Sequence, residues 1–309
     1  MQQDSRTVEI SENREGQRLD NFLLREMKGL PRSALYRLIR TGQVRVNSKR
    51  AKPTQKLLTG DRVRIPPAYL IDKSQAVPPG SVVQQLRNAV LFNDKDLLVL
   101  NKPAGLAVHG GSGLSWGLID AARLAFSEPD LDLAHRLDRE TSGCLVLARS
   151  RESLKRIHDL LKQGGMHKSY LALLQGRLPE QPIEVNLPLI KASGRGGERV
   201  VVVDHNFGKQ AHSIFTRLQS YQQADYVEVQ ITTGRTHQIR VHAQALGHPL
   251  AGDSKYGDKE FNKALRVLGL KNLFLHAQRL DIPLSSGEML PITAPLPEKL
   301  RELLDKLPI

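Results

Sequence analysis

The residues most able to do chemistry fall in four blocks: LVLNKPAGLAVHGG (98–111), AHRLDRETSGCLVLARS (134–150), KSYLALLQG (168–176) and GRTHQIRVHAQALGHPLAGDSKYGD (234–258). In the second block one carboxylate, Asp138, stands between Arg136 and Arg139, ahead of a Thr-Ser-Gly turn and an apolar run. A carboxylate can act as nucleophile or base, and glycosidases place a pair of them about the anomeric carbon. Here the motifs supply one, since Glu140 is near in sequence but not expected to share its direction. On spacing alone, an aspartate flanked by arginines is a surface ion pair. Arg240 alone reads as a charge on a helix surface, and Tyr170, at the start of an apolar strand, as packing. A tyrosine ring can also stack on a base, and its hydroxyl can carry a proton. What makes a site of these residues is their company.

Strands have to hold them. The runs LLVLN, CLVLARS, YLALLQG, RVVVV, AHSIFTRL, YVEVQITTG and LFLHAQRLDIPL predict β-structure. Three helices are expected beside them. One covers 151–163, with Ser150 as cap, Leu154, Ile157 and Leu161 inward, and Gly164 as stop. The second covers 237–246, capped by Thr236 and followed by Gly247; the third starts at Pro297 and bears Leu300, Leu303, Leu304 and Leu307. Many strands with scattered helices predict an α+β fold with a mixed, mostly antiparallel sheet rather than alternating βαβ units. Residues 84–309 carry no second break in composition and read as one domain.

The chain has 309 residues and a net charge of +13, and the excess is concentrated. Between Arg14 and Arg64 there are 14 Lys and Arg against four acids, a net of +10. Like charges so crowded repel one another unless a polyanion neutralises them, which predicts contact with nucleic acid. Within that stretch Leu19, Phe22, Leu23 and Met27 lie at helical spacing over 18–27. Pro31 opens a second short helix, with Leu35, Leu38 and Ile39 on one side and Arg32, Arg37 and Arg40 projecting from the rest. Two alternating strands follow, QVRVN and DRVRIP. A small basic domain is therefore expected over 16–66, and the proline-bearing segment 67–83 reads as a linker. The one cysteine, Cys144, excludes an intramolecular disulfide and fits a reducing compartment. No apolar run approaches the roughly 18 residues needed to span a bilayer. The N-terminus lacks the apolar stretch of a secretory signal, so a cytoplasmic protein is expected. With neither a coiled-coil pattern nor a large exposed apolar helix, a monomer is expected.

Taken in this order, the four blocks resemble the RluA-type family of RNA pseudouridine synthases, from about Leu91 to Leu284. Residues 16–66 resemble the compact alpha-L RNA-binding domain that many such enzymes share with a small-subunit ribosomal protein. HRLDRETSG together with GRTHQIRVH is highly specific, because both are long and neither is of low complexity. The resemblance implies an isomerase of specific uridines in RNA: the N-glycosidic bond breaks, the uracil turns, and a ring carbon rejoins the sugar. Nothing is oxidised and no group leaves the enzyme, so neither cofactor nor metal is expected. A single carboxylate suits such an isomerase better than a hydrolase that must activate water. The combination of the basic domain with VHGGSGLSWG and FLHA most resembles a member that modifies several uridines of 23S ribosomal RNA, which makes that RNA or a large-subunit precursor the expected partner. Another ribosomal site or tRNA is the alternative.

By position in the family's motifs, Asp138 is the catalytic aspartate, Tyr170 the active-site tyrosine and Arg240 the arginine that pairs with the aspartate. A carboxylate in a pocket needs a cation to stay ionised. Asp138 and Arg240 are accordingly expected within hydrogen-bond distance despite their separation in sequence. Arg136 matches a family arginine that resembles a wedge, filling the gap left by the extruded uridine and offsetting part of a cost of roughly a few kcal/mol. His135 beside it either meets the nucleic acid or is structural. Arg235 is expected to contact backbone phosphate or support the site, and Arg32, Arg37 and Arg40 to meet RNA. Lys102 faces phosphate or solvent on this reading, while Asp253 and Tyr256-Gly257-Asp258 read as structural.

His237, His242 and His248 lack an HExxH or cysteine partner, and their spacing does not align them on one helix face, so no metal site is expected. The GxGxxG and GxxxxGK spacings are absent around His109-Gly110-Gly111, which leaves nucleotide binding without support. Two readings from other classes remain open. A pure RNA-binding or ribosome-assembly protein needs only the basic domain. An N-glycosidase acting on nucleic acid needs the carboxylate and would release free uracil.

Overall fold

The computed structural model describes residues 2–3, 5–27, 29–69, 77–110, 114–194, 199–284 and 287–309. Contacts divide the chain into two units, Met1–Pro78 with Gly111–Trp116, and Pro79–Gly110 with Gly117–Ile309.

In the smaller unit, helices Leu19–Glu26 and Arg32–Arg40 turn Leu19, Phe22, Leu23, Leu35 and Ile39 inward, where they are buried with Val44, Val63 and Ile65. The accompanying sheet runs Arg6–Glu9, Arg62–Ile65, Arg45–Val46, Lys49–Arg50. Its first strand lies ahead of residue 16: Val8 pairs with Val63, and Ile10 joins the core. Arg32, Arg37 and Arg40 are all exposed, because the apolar stripe of their helix uses the opposite face.

The larger unit is built on a ten-stranded sheet. Its main path is Ile183–Asn186, His212–Ser220, Ala224–Ile231, His167–Gln175, Leu275–Pro283, Ser142–Ala148, Leu97–Lys102, Val90–Asn93. Every pairing in it is antiparallel except that Ser142–Ala148 runs parallel to Leu275–Pro283, through Ser142 opposite His276 and Gly143 opposite Ala277. This is the mixed, mostly antiparallel α+β architecture expected from the strand pattern. The RVVVV run stands apart, pairing with Leu189–Ser193 in a two-stranded ribbon. Ser142–Ala148 is buried along its whole length. Leu145 and Leu147 face Leu118 and Ala122 in one layer, and Val146 faces Ile157 and Ile282 in the other. Burial of each such leucine or isoleucine is worth about 1.5–3 kcal/mol, which anchors the strand in the sheet.

A glycine makes the parallel junction possible. Gly143 has φ +109, and a Cβ added there would lie 2.2 Å from the Ala277 carbonyl oxygen. Any side chain would force the strands apart. Beside it, Ser142 Oγ is 2.9 Å from His276 Nδ1, and His276 Nε2 is 3.1 Å from the Ala294 carbonyl. The carbonyl fixes the ring proton on Nε2, so the serine hydroxyl donates to Nδ1. In consequence the loop preceding Ser142, which carries Asp138, ends in mid-sheet. The strand next to it, Leu275–Pro283, also pairs with His167–Gln175, which carries Tyr170.

Helix 151–163 has the expected ends: Ser150 Oγ accepts from the Ser153 N–H at 3.1 Å, and Gly164 closes it at φ 72. Three helices differ from expectation. Gly80–Arg87 begins inside the segment read as a linker, of which residues 70–76 lie outside the described residues. Leu118–Ala125 buries Leu118, Ile119, Ala121, Ala122 and Ala125, and so shows little of the polar face that marks a surface helix. Lys259–Val267 follows Asp258, whose carboxylate accepts from the Phe261 N–H at 2.7 Å. Thr236, for its part, does not cap the next helix. That helix is Gln238–Ala245, and His237 precedes it at φ 54, ψ 19. A left-handed conformation at a residue other than glycine costs about 1–3 kcal/mol and persists only where its surroundings hold it.

Candidate active site

Asp138 lies in the loop between strands Asp132–Leu133 and Ser142–Ala148. Its carbonyl accepts from the Thr141 N–H at 3.2 Å. The neighbouring carbonyl, that of Arg139, accepts from the Lys102 ammonium at 3.0 Å and from the Gly105 N–H at 2.8 Å. Arg139 Nε returns a bond to the Gly105 carbonyl at 3.0 Å. The Asn-Lys-Pro-Ala-Gly turn therefore grips the Asp138 loop by its backbone. Lys102, expected to face phosphate or solvent, is instead fully buried, because its ammonium gathers the carbonyls of Pro103 and Arg139. Burial draws its pKa down to about 7, against the pull of Glu140 and Asp138.

Strand Ala224–Ile231 pairs with the Tyr170 strand, Val229 opposite Tyr170, and leads through Gly234 and Arg235 into helix Gln238–Ala245. That path delivers Arg240. Its NH1 is 3.3 Å from Asp138 Oδ2, the ion pair expected from the motifs. The other edge of the guanidinium forks onto Asp253, Nε to Oδ2 at 2.7 Å and NH2 to Oδ1 at 2.8 Å. Asp253 is 1% exposed and also accepts from the Lys255 and Tyr256 N–H groups. Burial pushes the Asp253 carboxyl up, but the Arg240 fork and those amides bring it below the usual carboxylate range. The Tyr256 ring lies under the same guanidinium, 5.0 Å from its carbon.

Tyr170 packs against both neighbouring cores, and its hydroxyl has no hydrogen-bond partner among the described residues. Burial, then the Asp138 charge, push the phenol up, so the hydroxyl stays protonated and able to donate. Asp138, Tyr170, His237 and Arg240 line one cleft with the apolar Leu137, Ile231, Ile239 and Leu275. Arg136 and Arg235 line it too, and both are exposed. Arg235 is steadied by a bond from Nε to the Gln210 carbonyl at 3.0 Å. A carboxylate, a phenol, fixed cations and an apolar floor suit a planar base and its sugar.

His135, given either of two roles by the sequence, is tied into the sheet. Its Nε2 accepts from the Val146 N–H at 3.1 Å, and burial pulls its pKa down to about 4. It is a neutral acceptor that ties the Asp138 loop to the strand Ser142–Ala148. The other histidines do not converge. His242 meets Ser213 Oγ and the Leu187 carbonyl, and His248 meets the Gln175 carbonyl. Burial also holds His242 and His276 below the ordinary imidazole value. With His135 at about 4 in the fold and roughly 6.5 unfolded, the unfolded chain binds more protons across that window. Stability is then fully present above about pH 6.5 and declines as pH falls toward 4. Urea midpoints at about pH 7.5 and pH 5 should show a clear loss at the lower value, and equal midpoints would refute it.

Spacing did not disclose where Asp253, Tyr256 and His237 lie: Asp253 and Tyr256 pack on Arg240, and His237 lines the cleft. The local signal is Thr-His-Gln. Gln238, buried next to the left-handed His237, accepts from Thr233 Oγ1 and the Arg235 N–H and donates to the His212 carbonyl and Ser213 Oγ. The bonds from Thr233 and Arg235 are local, whereas those to His212 and Ser213 need the folded sheet to bring their partners near.

Comparison with known proteins agrees with this geometry. Residues 96–245 match the RNA pseudouridylate synthase family, and residues 17–63 match the S4 domain. Ribosomal large subunit pseudouridine synthase C of Pasteurella multocida is 46% identical over 96% of this chain and 92% of its own length. The protein of that name from Escherichia coli K12 is 46% identical over 97% of this chain and 96% of its own. Among solved structures, human RNA pseudouridylate synthase domain containing 4 superposes with a TM-score of 0.60 at 28% identity, covering 74% of this chain and 97% of that one. Motifs, sheet, cleft and relatives converge: the chain belongs to the RluA-type RNA pseudouridine synthases, with an S4 domain at its N-terminal side.

Proposed function

We propose that this synthase isomerises specific uridines of large-subunit ribosomal RNA, 23S or its precursor, with Asp138 as the reacting carboxylate. The observation that carries the reading is the chain Asp253–Arg240–Asp138, a buried fork that delivers one cation to one carboxylate in the cleft that Tyr170 also lines. In the reaction the C1′–N1 bond breaks, a C1′–C5 bond forms, the proton on C5 is lost and N1 gains one. Asp138 serves as nucleophile toward the sugar or the ring, or as base toward the ribose. Each route asks for the same carboxylate in the same place. The substrate follows from the names of the relatives, which cover nearly the whole chain. The enzyme acts as a cytoplasmic monomer on this reading. Exposed Arg32, Arg37 and Arg40 supply phosphate contacts from the small domain, and Arg235 supplies one at the cleft.

Tyr170 stacks on the uracil and offers its hydroxyl to a proton in transit. Tyr170→Phe keeps the ring and removes the donor, so a fall of about 10²–10⁴ in single-turnover rate is expected for a proton carrier. A near-normal rate would limit Tyr170 to stacking. Arg136, exposed on the rim and with no hydrogen bond or ion pair recorded for its side chain among the described residues, fills the helix gap left by the extruded uridine. Arg136→Ala should therefore slow the reaction on structured RNA more than on a short unpaired RNA. Equal losses would dismiss the wedge.

The substrate is tested by incubating the protein with unmodified 23S, 16S and tRNA transcripts and mapping pseudouridine at nucleotide resolution. A few discrete sites on 23S alone are expected. Modification confined to tRNA or 16S RNA would overturn the substrate while keeping the chemistry.

A further inference from the structure

His237 stands in the cleft in a conformation that few residues adopt, and the site as described gives it no task. Its Nδ1 is 2.7 Å from the Tyr256 hydroxyl, and that hydroxyl already accepts from the Val201 N–H at 2.9 Å. Among the described residues the phenolic proton then has one recorded acceptor, His237 Nδ1. A neutral imidazole with Nδ1 unprotonated carries its proton on Nε2. The two rings hold each other edge to face, centroids 5.4 Å apart at 68°, with the Arg240 guanidinium on the tyrosine. Burial keeps the imidazole below its ordinary pKa, consistent with the neutral form.

The Nε2 side of the ring lies near Asp138. Nε2 is 3.9 Å from Oδ2, the same oxygen that Arg240 NH1 approaches at 3.3 Å. Oδ1 has no donor among the described residues. The longer distance is not yet a hydrogen bond, but such contacts tighten once substrate fills a site. The left-handed backbone at φ 54 places the ring there, and the bonds of Gln238 hold the turn.

We propose that His237 is a positioning residue: its Nε2–H, fixed in that tautomer by Tyr256, joins Arg240 on one oxygen of Asp138 and leaves the other to meet the nucleoside. This rests on Asp138 as the reacting carboxylate. It makes the Tyr256-His237 pair part of the aim of the carboxylate, not merely a prop for the ribbon that Val201 belongs to.

Two measurements test it. In ¹⁵N-histidine spectra of the full chain, His237 is expected as the Nε2–H tautomer, and Tyr256→Phe should convert it to a mixture. In single-turnover assays, His237→Leu should lose about tenfold to hundredfold in rate with RNA affinity unchanged, the kinetic equivalent of a hydrogen bond to a charged group. His237→Gln, with the same backbone cost and an amide donor near the Nε2 position, should recover most of that loss. Equal losses in Leu and Gln, no loss in either, or an Nδ1–H tautomer in the unaltered protein would overturn the assignment. If Asp138→Asn turned over in the same assay, the underlying reading would fall instead. An inactive Asp138→Asn beside an Nδ1-protonated His237 removes only the role of His237.

Discussion

Asp138→Asn should abolish pseudouridine formation while leaving a folded, RNA-binding protein. Loss of a reacting carboxylate removes the step itself, and knock-outs of such groups in other enzymes cost roughly 10⁴ or more in rate. The amide is isosteric, and Arg240 keeps its fork on Asp253 at 2.7 and 2.8 Å, so no charge is stranded. The lost ion pair, at the open side of the cleft with Asp138 18% exposed, is worth about 1 kcal/mol or less. For a domain of this size that corresponds to a shift of about 2–4 °C in the thermal midpoint. Single-turnover rates and melting curves measured on one preparation separate the two effects. A variant within a hundredfold of the wild-type rate would show that the carboxylate is not the reacting group.

Arg240→Met should do damage of a different kind, to stability as well as rate. Asp253 is 1% exposed, and removing its partner strands a buried charge. Breaking a buried pair on one side costs about 3–5 kcal/mol. Arg240→Lys should not restore activity, because one ammonium cannot fork onto Asp253 and also reach Asp138. Adding Asp253→Asn to Arg240→Met neutralises the stranded group. The double variant should regain stability in urea unfolding and stay inactive. A cost of Arg240→Met below about 1 kcal/mol would mean that Asp253 is satisfied by the Lys255 and Tyr256 amides without the arginine.

The two effects differ because Arg240 stands between Asp138, the carboxylate proposed to react, and Asp253, which is buried. That division was only half visible in the sequence. The blocks around Asp138, Tyr170 and Arg240 pointed to the residues that the fold gathers in one cleft, and the strand runs predicted a mostly antiparallel α+β sheet from their alternation and apolar runs. The buried side depended on tertiary placement. Asp253 read as structural, since nothing in GDSKYGD tells which cation will reach it. Lys102 read as exposed, since a turn lysine usually is, yet the carbonyls of Pro103 and Arg139 converge on its ammonium only when two loops meet. The His237 backbone at φ 54 has no signature in composition or period, and so Thr236 took the place of the cap. Leu118–Ala125 escaped for the opposite reason, being too apolar to show a helical stripe. The parallel junction could not be read either, although its cause, Gly143, stood in the most informative motif of the chain.

The most direct test of the central claim uses RNA made with tritium at uracil C5. Isomerisation joins C5 to the sugar, so the hydrogen on C5 must pass to solvent while the uracil stays attached to the chain. The account predicts tritium released to water by the wild-type protein, no free uracil, and no release by Asp138→Asn. Tritium retained in the RNA, liberation of free uracil, or equal release by the Asp138→Asn variant would contradict it.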